Sequence, residues 1–260
     1  MLVRDFLYRV STTLHDTAPQ FKRWSERELV NWINDGQRAL AKYLPQAGAR
    51  TDAVRLVPGT LQRIDKILAA RLIDRDGATP AADVKGVMLF DLVCNLGADG
   101  ATRGAVVTPV DRSSLDRANR LWHGATVATS IDHFTYDPRN PTVFYVSPPV
   151  HATTPVWAEM SWSAQPKEVT AGGDKGSEIY LSTGANTEAL SIDDLYADDL
   201  VHYVCARAYM KDAEDGDTGN AGAHAQTFLA SLNAQVAAIT GNNPNLQTLP
   251  FAPAPLGQAR

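Results

Sequence analysis

Residues 24–45, WSERELVNWINDGQRALAKYLP, specify one helix with both ends marked and a polar signature on its middle turn. Ser25 is a favourable N-cap, Glu28 completes a Ser-x-x-Glu capping box, and Trp24 and Leu29 occupy the N′ and N4 positions of a hydrophobic staple. Leu29, Ile33, Leu40 and Leu44 recur at helical spacing and give one apolar face, and Pro45 stops the helix. Asn34-Asp35-Gly36-Gln37 interrupts that regularity. A glycine inside a helix costs roughly 1 kcal/mol relative to alanine, so Gly36 implies that a neighbour packs closely on its backbone. Another helix is the expected neighbour, and the segment immediately upstream is the first candidate.

That segment places Leu2, Val3, Phe6, Leu7, Val10 and Leu14 at i, i+3, i+4 and i+7, which predicts an amphipathic helix over 2–15. With a connection through Pro19, the two helices are expected to form an antiparallel hairpin. From Thr51 to about residue 183 the texture changes to short β-rich runs broken by Pro and Gly. Val54–Val57 is cut by Pro58-Gly59, and Ile67–Ile73 reads as a second run. Val87–Val93 is compatible with a strand or a helical turn, 97–104 with a surface loop, and Asp111–Arg117 with a short helix. His133–Tyr136 and Thr142–Ser147 flank a turn-rich Asp137–Pro141 and read as a hairpin. Val156, Ala158, Met160 and Trp162 alternate with Trp157, Glu159, Ser161 and Ser163 in a third strand, so a three-strand meander is expected, with Pro148-Pro149 and Pro166 at its corners and a flexible loop over 170–176.

Helical periodicity returns after Ser191. Leu200, Val201, Val204, Cys205, Ala208 and Tyr209 predict a helix from about Asp193 to Ala213 with four aspartates, Asp193, Asp194, Asp198 and Asp199, at its positive end. After a polar turn over 212–220, Ala225, Phe228, Leu229, Leu232, Val236 and Ile239 predict a last helix ending at Gly241, and 242–260 reads as an extended, Pro-rich tail. The fold class expected is α+β: a bundle of N-terminal and C-terminal helix hairpins with an inserted antiparallel β module and an extended tail. The expected divisions are 1–48, 49–190, 191–241 and 242–260.

The 260 residues carry 24 basic and 29 acidic side chains, a net charge of −5, which argues against a surface that wraps nucleic acid. No apolar run reaches the roughly 18 residues of a membrane span, and Met1–Phe6 lacks a signal-peptide layout, so synthesis in the cytoplasm and no membrane partner are expected. Cys94 and Cys205 read as buried free thiols. No cofactor or metal is expected. The six histidines, His15, His123, His133, His151, His202 and His224, include no i, i+4 pair. Asp212–Asp217 lacks the ligand spacing of a calcium loop, and Gly172–Ser177 lacks the order of a phosphate loop. Trp157, Trp162, Phe144 and Tyr145 read as core or subunit interface in preference to a sugar platform, and the acidic start of the fourth helix as capping in preference to a catalytic carboxylate pair. This is the pattern of a protein that works through surfaces and not of an enzyme.

Four segments carry a family resemblance: Leu29–Gln37, Val54–Gln62, the hairpin from Phe134-Thr135-Tyr136-Asp137-Pro138 to Pro148-Pro149, and Asp193–Asp198. In that order, over about residues 2–240, the chain resembles the head-to-tail adaptors (connectors, gatekeepers, tail tubular protein A-like proteins) of short-tailed bacteriophages. Residues 75–130 are longer and richer in Gly and Ala than in the smaller members. The resemblance implies a virion protein forming a ring, commonly of twelve copies, between the portal protein and the tail nozzle protein. DNA would pass through it without specific binding during genome ejection. Hydrophobic Leu246, Leu249, Phe251 and Leu256 in the tail are the expected portal or neighbour contacts, and Gly36 the expected helix-packing residue. Two rival readings are a carbohydrate-binding or weakly hydrolytic tail component using the aromatic strands, and a helical scaffold with a β insert.

Overall fold

A computed structural model describes residues 1–16, 23–69, 72–73, 84–137, 139–170, 188–211 and 217–242. It is a mixed α and β protein of two compact units, 1–47 with 166–260, and 48–165.

In the first unit the described helices are α1 (Val3–Thr13), α2 (Glu26–Tyr43), α5 (Ala197–Lys211) and α6 (Thr218–Asn242). The Ser25 side chain accepts from the Glu28 backbone N–H while the Glu28 carboxylate accepts from the Ser25 N–H, so both halves of the capping box are present. Val3, Phe6, Leu7 and Val10 of α1, Leu29, Ile33 and Leu40 of α2, Leu200, Val204 and Cys205 of α5, and Phe228 and Leu232 of α6 share one core. Trp24 does more than staple: its indole Nε1 donates to the Ala208 carbonyl at 3.1 Å, and its ring meets Tyr209 edge-on. The last helix begins at Thr218, several residues earlier than its apolar periodicity predicts, because Asp217 accepts from the Asn220 N–H at 3.0 Å and supplies the missing start.

The second unit holds β1 (Ala49–Arg55), β2 (Gly59–Arg63), α3 (Ile64–Ala69), β3 (Leu72–Ile73), β4 (Gly86–Leu96), β5 (Arg103–Val106), β6 (Thr108–Pro109), α4 (Arg112–Ala118), β7 (His133–Tyr136), β8 (Val143–Val150) and β9 (Trp157–Ala164). One sheet has the order β3-β1-β9-β4-β5 and is antiparallel throughout; the other has the order β2-β8-β7-β6, with β6 parallel to β7. Among the described residues, the chain changes sheet four times, between β1 and β2, β2 and β3, β5 and β6, and β8 and β9. Val54, Leu92, Met160 and Trp162 from the first sheet, Phe134, Phe144 and Val146 from the second, and Ile64 and Ile67 from α3 close on a common core.

Three expectations are corrected here. The β7–β8 hairpin forms, with Phe134 opposite Val146, but β9 leaves it to lie between β1 and β4, so there is no three-strand meander. Its burial explains the move. Seven of its eight residues are buried, including Glu159 and Ser163 on the polar side of the alternation, which suits an interior position in the sheet better than an edge. Pro148 and Pro149 do not end β8, which runs through them to Val150. Pairing with β7 has stopped at Ser147, and the β2 register shifts between Tyr145 and Val150, so no ladder hydrogen bond is lost to the missing N–H groups. The run at Ile67 is the end of α3, whose Ile64 and Ile67 are one helical turn apart and both buried.

Candidate functional site

The four residues that interrupt the α2 pattern form a clasp. Asn34, buried in mid-helix, offers its amide to the backbone of one residue: Nδ2 donates to the Val169 carbonyl at 2.9 Å and Oδ1 accepts from the Val169 N–H at 2.8 Å. One turn on, Gln37 Oε1 accepts from the Ser191 N–H at 2.9 Å, and the Ser191 hydroxyl donates to the Lys167 carbonyl at 3.2 Å. The two side chains therefore hold the strap 166–170 beside the returning strap 188–192. That returning strap also pairs with the start of α1, where the Val3 N–H donates to the Glu188 carbonyl and the Leu190 N–H to the Met1 carbonyl. Asp35 faces outward to Arg38 at 2.7 Å, and Arg38 reaches Glu168 at 2.6 Å, which holds its guanidinium above the usual range through the Asp35 hydrogen bond first.

Gly36 completes the clasp. A Cβ on it would sit 2.4 Å from Leu200 Cδ1 and 2.8 Å from Tyr203 Cδ1, so the close neighbour is α5 and not the upstream helix that the sequence reading put first. The reason lies in the connectivity of the core: α2 and α1 both pack on α5, which is central to this unit.

The other sequence candidates resolve individually. Asp193 accepts from the Leu195 N–H at 2.9 Å, Asp194 takes the Met1 amino group, Asp198 takes Arg9, and Asp199 accepts from Gln235 Nε2 at 2.7 Å, so each carboxylate is engaged in capping or cross-linking. Of the four aromatic strand residues, Trp162 and Phe144 are fully buried and Trp157 is 9% exposed, so these three belong to the core, while Tyr145 is half-buried on the other face of β8. Cys94 and Cys205 are buried free thiols, and burial pushes the Cys205 thiol up to about 12. Among the described residues no group of three or more His, Cys, Asp and Glu side chains is placed to hold a metal, and no helix is long and apolar enough to cross a membrane. The tail residues Leu246, Leu249, Phe251 and Leu256, the 172–177 segment and residues 212–216 lie outside the described residues.

In the β unit, α4 and the turn at Trp122–Gly124 lie on the outer side of β8. Arg112 stands 5.6 Å from the Tyr145 ring, Trp122 meets the same ring edge-on, and His123 Nδ1 is 2.9 Å from the Thr60 hydroxyl. Beside them Thr135, Tyr136, Asp137, Arg139 and Asn140 line an open cleft of about 350 Å³. Its carboxylates are already partnered: Asp137 binds Arg139 at 3.1 Å, which holds the Asp137 carboxyl below the usual carboxylate range, and Asp111 accepts from Ser113. Such a cleft can offer hydrogen bonds and an aromatic wall to a partner.

A family model for the SU10 adaptor protein matches residues 1–248, all of the β unit and all of the helical unit up to residue 248. The chain belongs to the SU10 adaptor protein family. No curated protein matches it. Membership makes this a structural protein of the phage particle, associated with other virion components, and in this SU10 adaptor family member the clasp ties two straps of the chain to α2. The partners of Asn34 and Gln37 were invisible in the sequence because they are backbone groups 135 and 154 residues away.

Proposed function

We propose that the chain is one subunit of a ring joining the portal to the tail nozzle, and that DNA passes through the ring during genome ejection. The observation that carries this reading is the family match, which runs through both units. Charge supports it. Residues 48–165 carry 12 basic and 12 acidic side chains of the chain's 24 and 29, so the whole excess of −5 belongs to the helical unit. An acidic wall repels phosphates and avoids the counterion-releasing contacts that would stall sliding DNA. Ring closure requires two different lateral faces on each subunit, and a chain with units of unlike composition and charge has the chemical variety to supply them. In this reading α1 with α2 and α5 with α6 act as paired hairpins of one bundle, and the tail, through Leu246, Leu249, Phe251 and Leu256, seats on the portal.

Electron microscopy of the purified chain with and without its portal tests the proposal. A ring of new density on one end of the portal is expected, and its symmetry gives the copy number. No association across several salt concentrations would overturn the reading. Removing residues 242–260 should abolish attachment, and unchanged attachment would exclude the tail as the portal contact.

A further inference from the structure

His202 of α5 and His224 of α6 face each other with Nδ1 atoms 2.8 Å apart and ring centroids 5.1 Å apart. We propose that this pair is a proton-operated latch between the last two helices, holding α6 while it carries at most one proton and releasing it when both rings are charged. A separation of 2.8 Å between two imidazole nitrogens is a hydrogen bond only if one donates and the other accepts. With one proton added elsewhere on either ring, that bond survives. With both Nδ1 atoms protonated, two N–H groups and two positive charges point at each other and the contact must open.

Among the described residues, the charged groups around the pair are committed elsewhere and do not relieve that repulsion. On α5, Asp198 one turn before His202 is taken by Arg9 of α1, Asp199 is taken by Gln235 of α6, Cys205 is buried, and Tyr209 stacks on the His224 ring with centroids 5.8 Å apart. From α2, Glu28 is paired with Lys211 and Asp35 with Arg38 and Arg207; from α6, Asp217 is committed to Asn220. Burial first, and the neighbouring His202 second, hold His224 below the ordinary histidine value. A base whose folded value is depressed gives stability that is complete above the unfolded value near 6.5 and is lost as pH falls through it. Helix α6 makes its principal contact with α5, so loosening would uncover Phe228 and Leu232, which are buried against that helix. The latch would thus expose an apolar helix face in mild acid and cover it at neutral pH.

Hydrogen exchange of the full chain at pH 7.5 and 5.5, in chelator and corrected for intrinsic rates, reads the latch directly. Holding one proton fewer than the open form should cost α6 amides about tenfold in protection at pH 5.5, one unit below the unperturbed histidine value. A variant carrying both His202→Gln and His224→Gln keeps an amide pair that does not titrate, and its protection should change less than twofold. Equal losses in both proteins would overturn the proposal and assign the acid effect to carboxylates. If the double variant does not fold, imidazole NMR of the natural chain decides: one ring titrating below the usual histidine value supports the latch, whereas two rings titrating independently at that value would refute it.

Discussion

A side-chain amide in the middle of a helix is an uncommon partner for a backbone peptide elsewhere in the chain, and Asn34 serves Val169 in both directions. Removing it strands a buried N–H and a buried C=O at once, and each orphaned group costs about 1–3 kcal/mol. Asn34→Ala should therefore lower stability by about 2–6 kcal/mol in urea titration, well above the effect expected for a surface asparagine. Gly36→Ala sets two effects against each other: a gain of roughly 1 kcal/mol in helix propensity and an overlap with Leu200 and Tyr203. Leu200 is fully buried and has nowhere to retreat, so overlap wins, with a net loss of about 1–2 kcal/mol. Combining Gly36→Ala with Leu200→Ala should cost less than the sum of the two single changes, measured as a double-mutant cycle.

At the level of elements, α2 was readable to its ends because caps, staple and stop are local and redundant. Ser25, Glu28 and Pro45 are all within the segment they define. Glu28 has a second partner that no local rule supplies, Lys211 at 2.5 Å, and this bond, before the capping contacts, holds its carboxyl below the usual value. An acid with a depressed folded value contributes stability above its unfolded value and loses it as pH falls. Glu28→Gln should therefore shrink the loss of thermal stability between pH 5 and pH 3, which melting curves at each pH would register. Strands were harder. The alternation in β9 was legible, yet its neighbours β1 and β4 come from earlier in the chain, and a sequence marks the faces of a strand but not its edges. The clasp was half legible for the same reason: the odd residues Asn34, Gly36 and Gln37 advertised a contact, while the straps they hold are peptide groups that carry no signature.

For the whole molecule, the division of charge is the feature most open to experiment. With the β unit balanced and the helical unit carrying the full −5, raising salt should change the affinity of the chain for short duplex DNA very little, because a protein without a net positive charge displaces few of the counterions condensed on the DNA. Filter binding across a salt series checks this; a steep inverse dependence on salt would reveal a phosphate-binding face and would count against a DNA-repelling conduit.

The helical unit is written in two pieces, with the β unit encoded between them. On the ribosome that order has a cost in time. Helices α1 and α2 emerge with their apolar stripes unpartnered, since Trp24 must wait for Ala208, 184 residues later, and the β unit is complete before α5 exists. Loop closure over such a span is slow relative to local pairing. The nascent chain therefore passes through a stage in which a finished β unit trails two sticky helices, the form most exposed to holdase chaperones and to premature contact with sister chains.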